Sequence, residues 1–173
     1  MTQLSLPFPS PISHTEASGV FCHLASRGAY LIDIAVTAAE SGVYGSGSWG
    51  VLASYDPDAG TFEIAEREAF DDAYATARHL VPSDRMSGLP TRDEVRGLLI
   101  SAGDLYEVGP LSLALALERL RQGRASGSQL IASSIADGLL EGYATGEWAD
   151  SNYDAVGADA LVQLACFGEV VYG

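Results

Sequence analysis

The sequence predicts an α+β fold in which a β-hairpin or small antiparallel sheet packs against about five helices. Three observations carry that reading. The β-prone runs Trp49-Gly50-Val51-Leu52-Ala53-Ser54-Tyr55 and Thr61-Phe62-Glu63-Ile64-Ala65 flank Asp56-Pro57-Asp58-Ala59-Gly60, the composition of a hairpin with a longer loop. From residue 67 onward, apolar residues recur at helical spacing between helix start and stop signals. The chain has 173 residues, 47% hydrophobic and 18% charged, which suits one domain with one core.

Pro7, Pro9 and Pro11, with Ser and Thr between them, make residues 1–18 a flexible leader, followed by one α+β domain over 19–173. Val20 to Leu24 suits a strand or a helix. Ala29 to Glu40 sets Tyr30, Ile34 and Ala38 beside Leu31 and Ala35 at helical spacing, and Gly42 is the expected stop. A hairpin alone is marginally stable, so its apolar face, including Trp49 or Phe62, needs helices or a third strand against it. Glu66 to Val81 opens on the acids Glu66, Glu68, Asp71 and Asp72 and closes on Arg78 and His79 before Pro82, matching a helix dipole. Thr91-Arg92-Asp93-Glu94 reads as a capping box, with Val95, Leu98 and Leu99 on the buried stripe and a stop near Gly103. Pro110 suits a first helical position ahead of Leu111, Leu113, Leu115, Leu117 and Leu120, with Gly123 as the stop. Ser126 or Ser128 caps a helix through Ile131, Ile135, Leu139 and Tyr143. A short helix over Ala158 to Cys166 leads to Glu169-Val170-Val171-Tyr172, a candidate terminal strand.

The net charge is −14, from 23 acidic and 9 basic residues, and every basic residue is arginine. Residues 1–66 hold seven acids against Arg27, residues 67–124 nine against eight arginines, and residues 125–173 seven against none. Such a field keeps a protein soluble, repels nucleic acid and anionic membranes, and steers toward basic partners. Either solubility alone or a purposeful acidic surface accounts for it. No apolar run reaches the roughly 18 residues of a membrane span, and the first residues lack a signal peptide's pattern, so a cytoplasmic protein is expected. Cys22 and Cys166, far apart and without metal-ligand spacing, read as small core thiols.

Chemical motifs are sparse. Gly45-Ser46-Gly47-Ser48-Trp49-Gly50 has the letters of a dinucleotide loop, but a helix precedes it and a strand follows, the reverse of what that loop needs. Without lysine there is no phosphate-loop ammonium and no Schiff-base chemistry. His14, His23 and His79 show no zinc spacing, and adjacent Cys22 and His23 point apart on either kind of element. The acid pairs Asp71/Asp72 and Asp56/Asp58 suit a helix start and a turn. Catalytic residues, a metal and a cofactor are therefore not expected.

The stretch from Glu141 to Asp154 combines acids with aromatics: Glu141, Glu147, Trp148, Asp150, Tyr153 and Asp154 form a candidate partner-binding surface for a basic protein. The alternative is that Trp148 and Tyr153 fill the core.

Tyr44, Gly47 and Trp49, followed by Gly60 and Phe62, resemble the pattern of plasmid and phage antirestriction proteins of the ArdB/KlcA type: helix, then tyrosine and glycines leading to a tryptophan that starts a strand, then a turn and a Phe-containing strand. The likeness runs over residues 28–65, and this hairpin turn is longer than the family's. It implies a non-enzymatic counter-defence protein of mobile DNA and carries no catalytic residue across. With the acidity, it leads to a small inhibitor that occupies the basic nucleic-acid-binding surface of a restriction or CRISPR effector, without itself binding nucleic acid or membrane. An immunity or scaffold module for a protein partner, and an enzyme outside the known motifs, remain as alternatives.

Overall fold

The computed structural model describes residues 14–40, 48–83, 87–126, 133–145 and 154–172. In chain order these form α1 (His14–Glu40), β1 (Gly50–Asp56), β2 (Thr61–Glu66), α2 (Arg67–Leu80), α3 (Arg92–Ala102), β3 (Tyr106–Val108), α4 (Pro110–Ser126), α5 (Ser133–Thr145) and α6 (Asp154–Phe167). The fold is α+β, with six helices and one antiparallel sheet of order β1-β2-β3 among the described residues.

The hairpin lies where the sequence puts it. The Asp56 carboxylate accepts from the backbone N–H of Asp58 and Ala59, both at 3.1 Å, so this acid shapes the turn as its position implied. Gly60 closes the turn at φ +60°, and a Cβ there would lie 2.9 Å from the Ile32 side chain of α1, so glycine serves both the conformation and the close approach. β1 carries a bulge: the pairing Leu52↔Ile64 is followed by Ser54↔Glu63, leaving Ala53 as the extra residue.

Alternation along β2 gives the sheet two buried faces. Phe62 and Ile64 point into the main core with Leu31, Ile34, Leu113, Leu117 and Leu161. Ala65 points the other way, into a smaller core with Ala77, Val95 and Leu99 from α2 and α3. The molecule is thus a helix–sheet–helix sandwich, with α1, α4 and α6 on one side and α2 and α3 on the other. α4 is the central helix: Leu113 through Glu118 are all buried, so the leucines spaced two apart line several faces rather than one stripe. Glu118 tolerates burial because Arg121 and Gln122 donate to its carboxylate.

Several elements differ from expectation. α1 starts at His14, inside the expected leader, and takes in the ambiguous run from Val20 to Leu24. It bends at Arg27 (φ −139°, ψ 24°) between Ser26 and Gly28, the kind of residues that admit a kink. From the bend the Arg27 guanidinium reaches the Tyr143 and Ala144 carbonyls, both at 2.8 Å, placing a cation at the C-terminus of α5. Cys22 is exposed on α1 rather than in the core, whereas Cys166 is buried. β3 is a third strand that three residues were too short to announce. Leu111 is exposed at the start of α4. That helix runs through Gly123 to Ser126, because glycine stops a helix only when it turns left-handed, so Ser126 ends α4 instead of capping α5. Gly42, Ser128 and Ile131 lie outside the described residues.

The capping box is present in full: the Thr91 hydroxyl accepts from Glu94 N–H while the Glu94 carboxylate accepts from Thr91 N–H at 2.7 Å. Within α3, Val95 and Leu99 are buried, but Leu98 is only half-buried at the rim of the smaller core. Leu99→Ala is therefore expected to cost about 2 to 5 kcal/mol, and Leu98→Ala clearly less. Urea denaturation of the two variants tests this, and equal losses would contradict the orientation of α3.

Candidate functional site

Of the six residues expected to face a partner, Glu141 lies exposed on α5 and Asp154 opens α6. Glu147, Trp148, Asp150 and Tyr153 lie outside the described residues. The described residues instead bring acids and aromatics together at a second place, which sequence spacing does not reveal.

That place is built on Trp49, just ahead of β1. Its indole stacks on Tyr172, with ring centroids 5.4 Å apart and planes within 2°, and meets the edge of Phe167 at 5.4 Å. Tyr106 of β3 packs edge-on against Phe167 at 5.2 Å. The indole N–H donates to Asp159 Oδ1 at 2.9 Å, and Asp159 Oδ2 accepts from the Gln163 side-chain amide at 2.7 Å. Gln163 is fully buried, and its carbonyl accepts from Val171 N–H at 2.9 Å and Tyr172 N–H at 2.7 Å while its amide donates to the Tyr172 carbonyl at 2.8 Å. Glu169–Tyr172 is thus not the strand its residues suggested. Its backbone groups find a side chain instead of a ladder, which fixes the tail against Trp49.

The Tyr172 hydroxyl donates to Glu66 Oε2 at 2.6 Å, tying the tail to the junction of β2 and α2. That bond to a carboxylate raises the Tyr172 pKa, with burial adding to it; for Tyr106, burial first and the Glu66 charge second push the value up to about 12. Arg67 sits amid these acids, and its guanidinium donates to the Ser48 carbonyl at 3.1 Å. A cleft of about 400 Å³ results, with Trp49 and Tyr172 as its aromatic wall and Glu66, Glu68, Asp71 and Asp72 as its acidic one. The sequence reads these four acids as a helix start, but Glu66 ends β2 without capping α2, and of the four only Glu68 falls in the first turn of that helix. What was not legible is that Tyr172, 106 residues away from Glu66, closes over the same spot.

This arrangement offers carboxylates and ring faces, which suit cations. Among the described residues no group of three or more His, Cys, Asp or Glu is placed to hold a metal ion. Burial pushes the Cys166 thiol well above its ordinary value, so it is a packed thiol rather than a nucleophile. Gly50 opens a strand, consistent with the reversed order that argued against a dinucleotide loop, while Gly45 and Gly47 lie outside the described residues. No described helix is long and apolar enough to cross a membrane. No model of a protein family matches the chain, and neither the curated proteins nor the solved structures yield a significant match.

Proposed function

We propose that this chain is a small, acidic, non-enzymatic binding protein that occupies the basic nucleic-acid-binding surface of a target, in the manner of a phage or plasmid counter-defence inhibitor acting on a restriction or CRISPR effector. The observation that carries this reading is the net charge of −14, part of it concentrated as four carboxylates beside the Trp49 and Tyr172 rings. Grooves that bind DNA respond first to negative charge, and carboxylates accept the same bidentate arginine contacts as phosphates. The aromatic wall supplies the rigid apolar contact area that charge alone lacks. The resemblance of residues 28–65 to antirestriction proteins of the ArdB/KlcA type points the same way.

The test is affinity capture from a bacterial lysate with the tagged protein, followed by elution with heparin or duplex DNA. A nucleic-acid-binding complex that both polyanions release is expected. A specific partner that neither releases would contradict the mimicry and favour a scaffold or immunity role.

A further inference from the structure

A second and larger cleft, of about 740 Å³, lies between the α3-facing side of the sheet and the C-terminal half of α3. It shares no lining residue with the Trp49 cleft and falls within the roughly 300 to 1,000 Å³ of sites for compact organic ligands. Its floor is a row across the three strands, since Ser54 pairs with Glu63 and Glu63 with Glu107. Side chains directly opposite one another share a face, so two carboxylates stand side by side there.

Arg96 of α3 reaches down onto one of them, its guanidinium donating through two nitrogens to both oxygens of Glu63. The Ser54 hydroxyl adds a third bond to that carboxylate at 2.7 Å. Glu63 is thereby neutralised, and Arg96 has its fork committed to it. The Glu107 carboxylate has neither a hydrogen bond nor an ion pair among the described residues. Three carboxylates, those of Asp56, Glu63 and Glu107, line the cleft against the one guanidinium of Arg96.

The wall above is the end of α3. Ile100 through Gly103 border the cleft, and the last turn of that helix has no basic residue. A helix C-terminus bears a partial negative charge, so the backbone contributes a field of the same sign as the unpaired carboxylate, from an independent source. Ile100 and Leu105 make the remaining wall apolar.

We propose that this cleft binds a small organic cation, an amine or amidinium on a compact apolar body. The charged head lies between Glu107 and the end of α3, and the body lies on Ile100 and Leu105. An anion would meet two negative fields, with the Arg96 guanidinium already bound to Glu63. This site is independent of the protein partner argued above, and loss of one leaves the other standing.

The experiment is an amide NMR titration of the whole protein with phenethylamine and agmatine, set against 3-phenylpropionate and 2-phenylethanol. The amines are expected to saturate, with shifts centred on Ser54, Ser101 and Glu107, and the anion and the alcohol are expected to give none. Glu107→Gln, an exposed change on β3, should weaken the amines about fivefold, the size of one lost charge contact near the surface. Ser101→Trp, which fills the cleft from an exposed helix position, should abolish the shifts. Glu68→Gln, in the other cleft, should leave the affinity unchanged. The proposal is overturned if neither amine saturates up to roughly 10 mM, or if Glu107→Gln and Glu68→Gln weaken binding alike, which would mark diffuse attraction to an acidic protein. Equal binding of the anion would overturn it too.

Discussion

Trp49→Ala is expected to lower the stability of the whole protein by about 3 kcal/mol, the lower part of the range for removing a large aromatic from a packed site, because Trp49 is only partly buried. The indole holds three groups at once: the Tyr172 ring on its face, the Phe167 edge beside it and the Asp159 carboxylate at its N–H. Removing it leaves Asp159 with Gln163 as its one hydrogen-bond donor among the described residues and takes the packing surface from the tail. Trp49→Phe keeps the stacking but loses the bond to Asp159, so it should cost about 1 kcal/mol. Urea denaturation followed by far-UV circular dichroism separates the two. If Trp49→Ala unfolds at the wild-type midpoint, the tail and the indole lie outside the cooperative unit, and the Trp49 cleft is a mobile surface rather than a built one.

Reversing the charge of the acidic wall should act on binding and spare the fold. Glu68→Lys, Asp71→Lys and Asp72→Lys change three exposed side chains of α2, of which only Glu68 lies in the first turn. The loss of that helix-dipole contact costs at most about 1 kcal/mol. Association with a basic target should slow by about one to two orders of magnitude at 0.1 M salt, because steering by a surface field enters the on-rate. The difference should vanish near 1 M salt, where screening falls to about 3 Å. The companion triple reversal of Glu147, Asp150 and Asp154 separates the two acidic regions, since the triple that slows association more marks the surface facing the partner. Stopped-flow or surface-plasmon measurements at several salt concentrations provide the comparison. Unchanged on-rates for both triples would end the idea of an electrostatically recruited partner.

Local signals were legible wherever neighbours in sequence decide the structure. The Asp-Pro-Asp-Ala-Gly turn and the Thr91 capping box satisfy backbone groups within three residues of themselves, and the Pro110 helix start and the basic end of α2 lie where local helix signals put them. What stayed hidden depends on distant partners. β3 exists only because Glu107 and its neighbours find β2, and three residues carry no period of their own. The tail reads as a strand from Val170, Val171 and Tyr172, but the buried Gln163 captures its amides first. Cys22 belongs to an apolar run, yet it is Val20 and Leu24, on either side of it, that meet the core. The Trp49 cleft joins three places in the chain, and no window of sequence contains them together.

The bulge at Ala53 bears on how anything can attach to this molecule. β1 and β3 are the two margins of the sheet. On β1 the bulge breaks the regular spacing of amides, and the Arg92 guanidinium engages the Leu52 carbonyl at 2.9 Å. β3 has only three residues to offer. Neither margin is a template on which a foreign strand can be laid down, the route by which many small α+β proteins either recruit extended peptides or run together into fibrils. Recognition is left to side chains, with their charges and rings, and a highly concentrated solution of the protein should resist ordered self-association.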